Sequence, residues 1–128
     1  MKILVIDDEP PIRDILRTWF EKEGWTVYEA ENGRDGVQLH RETPVDLVVC
    51  DLIMPVQEGI ETISSFRRSY PEVGVIAISG GGRLSPDQYL EVAQLLGAWK
   101  IFRKPLAIDQ ILAAVRQWRA SEGRGERQ

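Results

Sequence analysis

Two adjacent acids, Asp7 and Asp8, follow directly on the apolar run Ile3–Ile6, and a third, Asp51, follows directly on the run Leu47–Cys50. If the two runs are neighbouring parallel strands, all three carboxylates share the sheet edge at the strands' carboxyl ends, where ligands sit in such folds. At ~4 Å and an effective dielectric of about 20, each charged pair costs about 4 kcal/mol. Proton sharing or a bound cation must relieve that repulsion, and an all-oxygen site with few protein ligands favours Mg²⁺. Ser79 ends a third apolar run, Val75–Ile78, and Lys104 ends a last, mixed one, with Pro105 next. A hydroxyl and an ammonium beside these carboxylates suit a phosphoryl site. Mg²⁺ and Lys104 would neutralise phosphoryl oxygens, Ser79 would donate a hydrogen bond to one of them, and Asp51 would be the nucleophile that forms an acyl phosphate. Asp46 sits near the start of the Asp51 strand. Five residues at ~3.3 Å each put it roughly 16 Å away, at the opposite edge.

Each of these residues has a plainer reading alone. Asp7 or Asp8 could cap a helix carrying Pro10 or Pro11 in its first turn. Ser79 could be a turn hydroxyl, Lys104 a solvated charge and Pro105 a helix-starting residue. Their joint placement at strand ends argues for chemistry.

The elements that position them follow from hydrophobic pattern. The three continuously apolar, branched runs suit strands covered on both faces. Trp25–Ala30 and Trp99–Arg103 are mixed and suit sheet edges. Ile12, Ile15, Leu16, Trp19 and Phe20 form a helical stripe stopped at Gly24, and Ile108, Ile111, Leu112, Val115 and Trp118 form another. Weaker helices are expected around Arg34–Arg41, Glu58–Arg68 and Ser85–Leu96, the last ended by Gly97. Asn32-Gly33 resembles a hairpin turn, but the helix-like stretch after it argues against a following strand. Five strands alternating with five helices imply an α/β doubly wound parallel sheet.

The chain's 128 residues fit one domain, expected over 1–120 with a frayed polar tail over 121–128. It is 43% hydrophobic and 28% charged, as an ordinary globular protein is. No apolar stretch approaches the roughly 18 residues of a membrane span, and no signal-peptide pattern opens the chain. The single cysteine, Cys50, cannot form an internal disulfide, so a cytoplasmic home is expected. A net charge of −4 without a basic tract argues against nucleic-acid binding.

Taken together, Ile3-Leu4-Val5-Ile6-Asp7-Asp8-Glu9, Asp51-Leu52-Ile53-Met54-Pro55, Ile78-Ser79-Gly80 and Lys104-Pro105 resemble the four signatures of bacterial response-regulator receivers, in order and with the usual spacing, over about residues 2–120. The resemblance implies a flavodoxin-like, CheY-like sheet of order 2-1-3-4-5 with five flanking helices. It implies that Asp8, Asp51 and the Ile53 carbonyl ligate Mg²⁺, with Asp7 acting partly through water. Asp51 would take a phosphoryl group from a histidine kinase or histidine phosphotransfer protein, Lys104 would pair with that group across a cis bond to Pro105, and Ser79 would move toward it. Gly80 would be the small residue that the pocket needs. The protein is then a switch acting on a downstream protein target, as a monomer or weak dimer, rather than a turnover enzyme.

Departures from the family pattern concern the readout. The position three before the lysine, usually aromatic, is Ile101, with Phe102 expected on the opposite face of the strand and Trp99 on the same face as Ile101. Trp99 is either a partial cover for the last helices or, with Lys100 and Arg103, a partner patch. Gly80-Gly81-Gly82 predicts an adaptable loop, which could replace the aromatic in coupling phosphorylation to the surface. Glu58 and Gly59 keep an acidic helix start and a turn. His40 is expected to be solvated on the second helix. An aspartyl-nucleophile phosphohydrolase would carry an acid two residues after Asp51, where Ile53 stands. A pseudo-receiver binding module would have lost the acceptor, a pocket acid or the lysine, all of which are present. The few residues after the last helix leave two possibilities: a stand-alone receiver, or one cut from a larger protein.

Overall fold

The computed structural model describes residues 1–52, 59–80 and 85–125. Five strands alternate with five helices: β1 (Lys2–Ile6), α1 (Pro10–Lys22), β2 (Thr26–Ala30), α2 (Gly33–Glu42), β3 (Leu47–Asp51), α3 (Gly59–Ser69), β4 (Gly74–Ser79), α4 (Pro86–Leu95), β5 (Lys100–Arg103) and α5 (Ile108–Gly125). All strand pairs are parallel, in the order β2-β1-β3-β4-β5. The expected fold and order are thus observed, with the mixed strands β2 and β5 at the edges.

Period-2 alternation splits the sheet's side chains between two cores. Leu4, Ile6, Val48, Cys50, Val75 and Ala77 face one side and pack with Ile63 and Phe66 of α3. Ile3, Val5, Leu47, Val49, Ile76 and Ile78 face the other, against Leu16 and Phe20 of α1 and Ile111, Val115 and Trp118 of α5. Because β1, β3 and β4 are covered on both sides, their apolar runs are continuous, and their polar residues are confined to the ends.

The helix boundaries have local causes. Proline opens α1, and Asn32 caps α2 by accepting a hydrogen bond from Asp35 N at 2.8 Å, which settles Asn32-Gly33 as a helix start. Gly24 and Gly97 take positive φ (85° and 89°) just after α1 and α4, as expected of helix stops. At the far end of β3, Asp46 Oδ2 accepts from Lys2 N at 2.7 Å, so this acid stabilises the opposite edge of the sheet.

Three expectations need correction. The last helix continues to Gly125, through Ser121–Gly125 of the segment expected to fray. Trp99 does not share the face of Ile101: Ile101 packs on the α3 side, whereas the Trp99 indole donates to Ala114 O of α5 at 3.3 Å. Trp99 precedes the first residue of β5, so strand alternation does not govern it. Phe102 lies on the α5 side, as expected.

His40 is the third correction, being 4% exposed rather than solvated. Its Nδ1 accepts the Val45 N–H at 3.0 Å, and its ring stands edge-on to Phe66 and Tyr70. It closes the α2–β3 loop over the α3 side of the core, a long-range role that a single surface-looking turn of helix does not disclose. Burial lowers its pKa from 6.5, partly opposed by Glu72. The unfolded chain therefore takes up a proton that the folded chain resists, and stability contributed by neutral His40 is lost as pH falls below 6.5 toward the lowered folded value. His40→Leu should orphan the Val45 N–H and cost about 1–3 kcal/mol at neutral pH. Thermal melts should also show a shallower loss of stability on acidification in the variant than in the parent.

Candidate functional site

The carboxyl ends of β1, β3, β4 and β5 converge on one acidic pocket. Asp7, one residue past β1, is fully buried, and Asp51, the last residue of β3, is 4% exposed. Asp8 and Glu9 are exposed at the rim. One carboxylate oxygen from each of Asp7, Asp8, Glu9 and Asp51 lies within 4.8 Å of the others, so this group could hold a metal ion. Oxygen-only donors, half of them open to solvent and its waters, suit a hard divalent cation.

Lys104 enters this cluster from the end of β5. Its Nζ lies 2.5 Å from Glu9 Oε2, 3.0 Å from Asp7 Oδ2 and 3.3 Å from Asp51 Oδ2. Burial alone would lower its pKa, but Glu9, Asp51 and Asp7 outweigh burial and hold the ammonium charged well above its ordinary range. The pKa of Asp7 is raised as well, which for a carboxylate favours the neutral form. Burial raises its pKa, while the Glu9 N–H on Oδ1 at 2.8 Å and Lys104 pull it back. Oδ2 has the ammonium beside it but, among the described residues, no hydrogen bond of good geometry.

The backbone sets these positions. Leu52 N donates to Ile78 O at 2.9 Å, and Lys104 N donates to Ser79 O at 2.9 Å, which ties the ends of β3, β4 and β5 together. The peptide joining Lys104 to Pro105 is cis, as the resemblance implied. Ser79 is 1% exposed, and its Oγ has no hydrogen-bond partner among the described residues. Among the described residues, this leaves Ser79 with a buried donor that an incoming acceptor could take. Gly80 is small for a steric reason: a Cβ there would lie 2.7 Å from Lys104 Cδ. Gly59 is tighter still, since its Cβ would lie 1.9 Å from the Asp51 carbonyl oxygen. Ile53, expected to offer a backbone carbonyl, lies outside the described residues, as do Gly81 and Gly82 of the expected adaptable loop.

A receiver-domain family model matches residues 3–116, the response regulator receiver domain. The chain belongs to that family. It is 32% identical over 117 residues to sporulation initiation phosphotransferase F of Bacillus subtilis, covering 91% of this chain and 92% of that one. Among solved structures, it is similar to a CheY-like receiver from Methanospirillum hungatei, with TM-score 0.88, 22% identity and 97% of each chain covered. A receiver from Clostridium thermocellum gives TM-score 0.82 and 28% identity, with 91% of each chain covered. The protein is a response-regulator receiver acting in phosphorelay signalling. No helix among the described residues of this receiver is long and apolar enough to cross a membrane.

Two residues of the site carried no individual role in the sequence reading. Glu9 was visible as a third consecutive acid, but its contact with Lys104 spans 95 positions. Arg13, on α1, donates from Nη1 to the Asp7 carbonyl at 2.7 Å, and only the fold shows that proximity. Because Lys104 is the shared counter-charge of the pocket, Lys104→Met should lower stability by about 1–3 kcal/mol without divalent cation. Adding Asp7→Asn should restore most of that loss in chemical-denaturation midpoints.

Proposed function

We propose that Asp51 is the phosphoryl acceptor of this receiver, in a Mg²⁺-dependent reaction with a histidine kinase or histidine phosphotransfer protein as donor. The observation that carries the reading is a buried Asp51 whose carboxylate lies 3.3 Å from the Lys104 ammonium, inside a four-acid cluster. An Asp51 oxygen attacks the donor phosphorus, the P–N bond of the phosphohistidine breaks, and its electron pair leaves with the imidazole. Lys104 stays charged and can turn from the carboxylates to a phosphoryl oxygen, since its Glu9 partner stands at the open rim. Ser79 Oγ has the free donor to hydrogen-bond a second oxygen. Gly80 leaves the space that the Lys104 side chain occupies.

Asp8 and Asp51 would hold the ion, with the Ile53 carbonyl as third protein ligand and Asp7 acting partly through water. Bound Mg²⁺ supplies charge neutralisation for the phosphoryl oxygens. The phosphoryl group then switches a protein-interaction surface for a downstream protein target. On this reading the chain is a cytoplasmic switch and not a turnover enzyme.

Intact-mass spectrometry after incubation with acetyl phosphate tests the assignment. One phosphoryl group should be gained with Mg²⁺ and none with a chelator, and Asp51→Asn should gain none. Ser79→Ala and Lys104→Met should slow the gain by about 10²-fold or more, the scale for losing one charge-stabilising group. A gain that needs no divalent cation, or survives in Asp51→Asn, contradicts the reading.

A further inference from the structure

We propose that Arg13 is a positioning residue for the acidic pocket, fixing the peptide that joins the two consecutive acids Asp7 and Asp8. This rests on the reading of that pocket as a Mg²⁺ site. Arg13 touches none of the carboxylates in the pocket; its fork spans two other acceptors. Nη1 donates to the Asp7 carbonyl oxygen at 2.7 Å, and Nε donates to Glu29 Oε1 on β2 at 3.1 Å. The side chains of Arg13 and Glu29 are 17% and 22% exposed, so neither contact is a loosely solvated surface pair. Glu29 is itself held from the other side by Arg17, which also pairs with Glu21 at 3.2 Å.

The consequence for the pocket follows from peptide geometry. Asp7 is already anchored by its N–H, which donates to Ala30 O at 3.1 Å, and by its Oδ1, which accepts from Glu9 N at 2.8 Å. Its Oδ2 stands beside the Lys104 ammonium at 3.0 Å, and the Asp7 carbonyl is the backbone handle that Arg13 takes. It belongs to the planar peptide bond leading into Asp8, so fixing the direction of the C=O fixes the direction in which the Asp8 backbone leaves. Asp8 is exposed and has no burial to orient it. Arg13 therefore sets how an exposed acid is aimed relative to a buried one, through a guanidinium whose planar fork is held by Glu29. A lysine at this position would keep the charge but could not hold both acceptors in the same fixed geometry.

Charge and position make opposite demands, which separates them experimentally. Arg13 is a cation close to the pocket, so deleting it should tighten Mg²⁺ binding if only charge matters. If Arg13 positions the acids, deletion should weaken binding by about tenfold, the lower end for an outer residue that orients a metal ligand. The experiment is an NMR titration of the whole chain with MgCl₂, following the amides of Asp7–Glu9. Arg13→Met is expected to raise the Mg²⁺ Kd by about tenfold, and Arg13→Lys to fall between it and the parent. An unchanged or lower Kd in Arg13→Met overturns the proposal. Should Arg13→Met fail to fold, Arg13→Lys decides: weaker binding supports positioning, and parent-like binding overturns it. If the parent itself shows no saturable Mg²⁺ binding, the metal reading of the pocket fails first, and the role of Arg13 falls with it.

Discussion

The structure turns on one ammonium group set among acids that the fold forces together. Parallel β-α topology brings the ends of β1 and β3 side by side, so Asp7 and Asp51 are buried near each other whatever their mutual repulsion. Lys104 answers that repulsion with contacts of 2.5–3.3 Å to Glu9, Asp7 and Asp51. Such an arrangement is a poor source of stability, because burying charges costs much of what their attraction returns. It is a good receptor for a different set of charges. A divalent cation can take over the acids, and a phosphoryl group can take over the lysine.

That exchange explains features that packing alone does not. Among the described residues, the buried Ser79 hydroxyl has no partner, and at Gly80 a side chain would press on Lys104. Both have a cost in the resting protein. Both fit the proposed phosphoryl site.

The sheet was largely legible in the sequence because burial on both faces writes itself as unbroken apolar runs, and Asp7, Asp51 and Ser79 each sit where such a run ends; the order of the three inner strands came from the resemblance to receivers, since apolar runs separate centre from edge but do not rank the centre. Less legible were interactions that depend on tertiary approach. His40 reads as a polar helix residue, yet it is sealed by Phe66, Tyr70 and the Val45 N–H. Trp99 reads as the next outward residue of a strand, yet its indole turns to α5. Arg13 reads as an ordinary helix-surface arginine, with nothing local to show that it reaches the backbone of Asp7. Helix α5 runs on past Ala120 although the composition there is polar, because helical hydrogen bonding does not require an apolar stripe. Ile101, at the position where the resemblance leads one to expect an aromatic ring, packs into the α3-side core. Its aliphatic side chain, unlike a hinged ring, presents no large group to flip.

The most direct test of the account is borohydride reduction of the phosphorylated chain followed by peptide mass mapping. An aspartyl phosphate is reduced to homoserine, which marks the residue that carried the phosphoryl group. The account predicts homoserine at position 51 and unmodified aspartate at 7 and 8. Homoserine at either of those positions, or a phosphoryl group that resists reduction because it sits on the Ser79 hydroxyl, would contradict it.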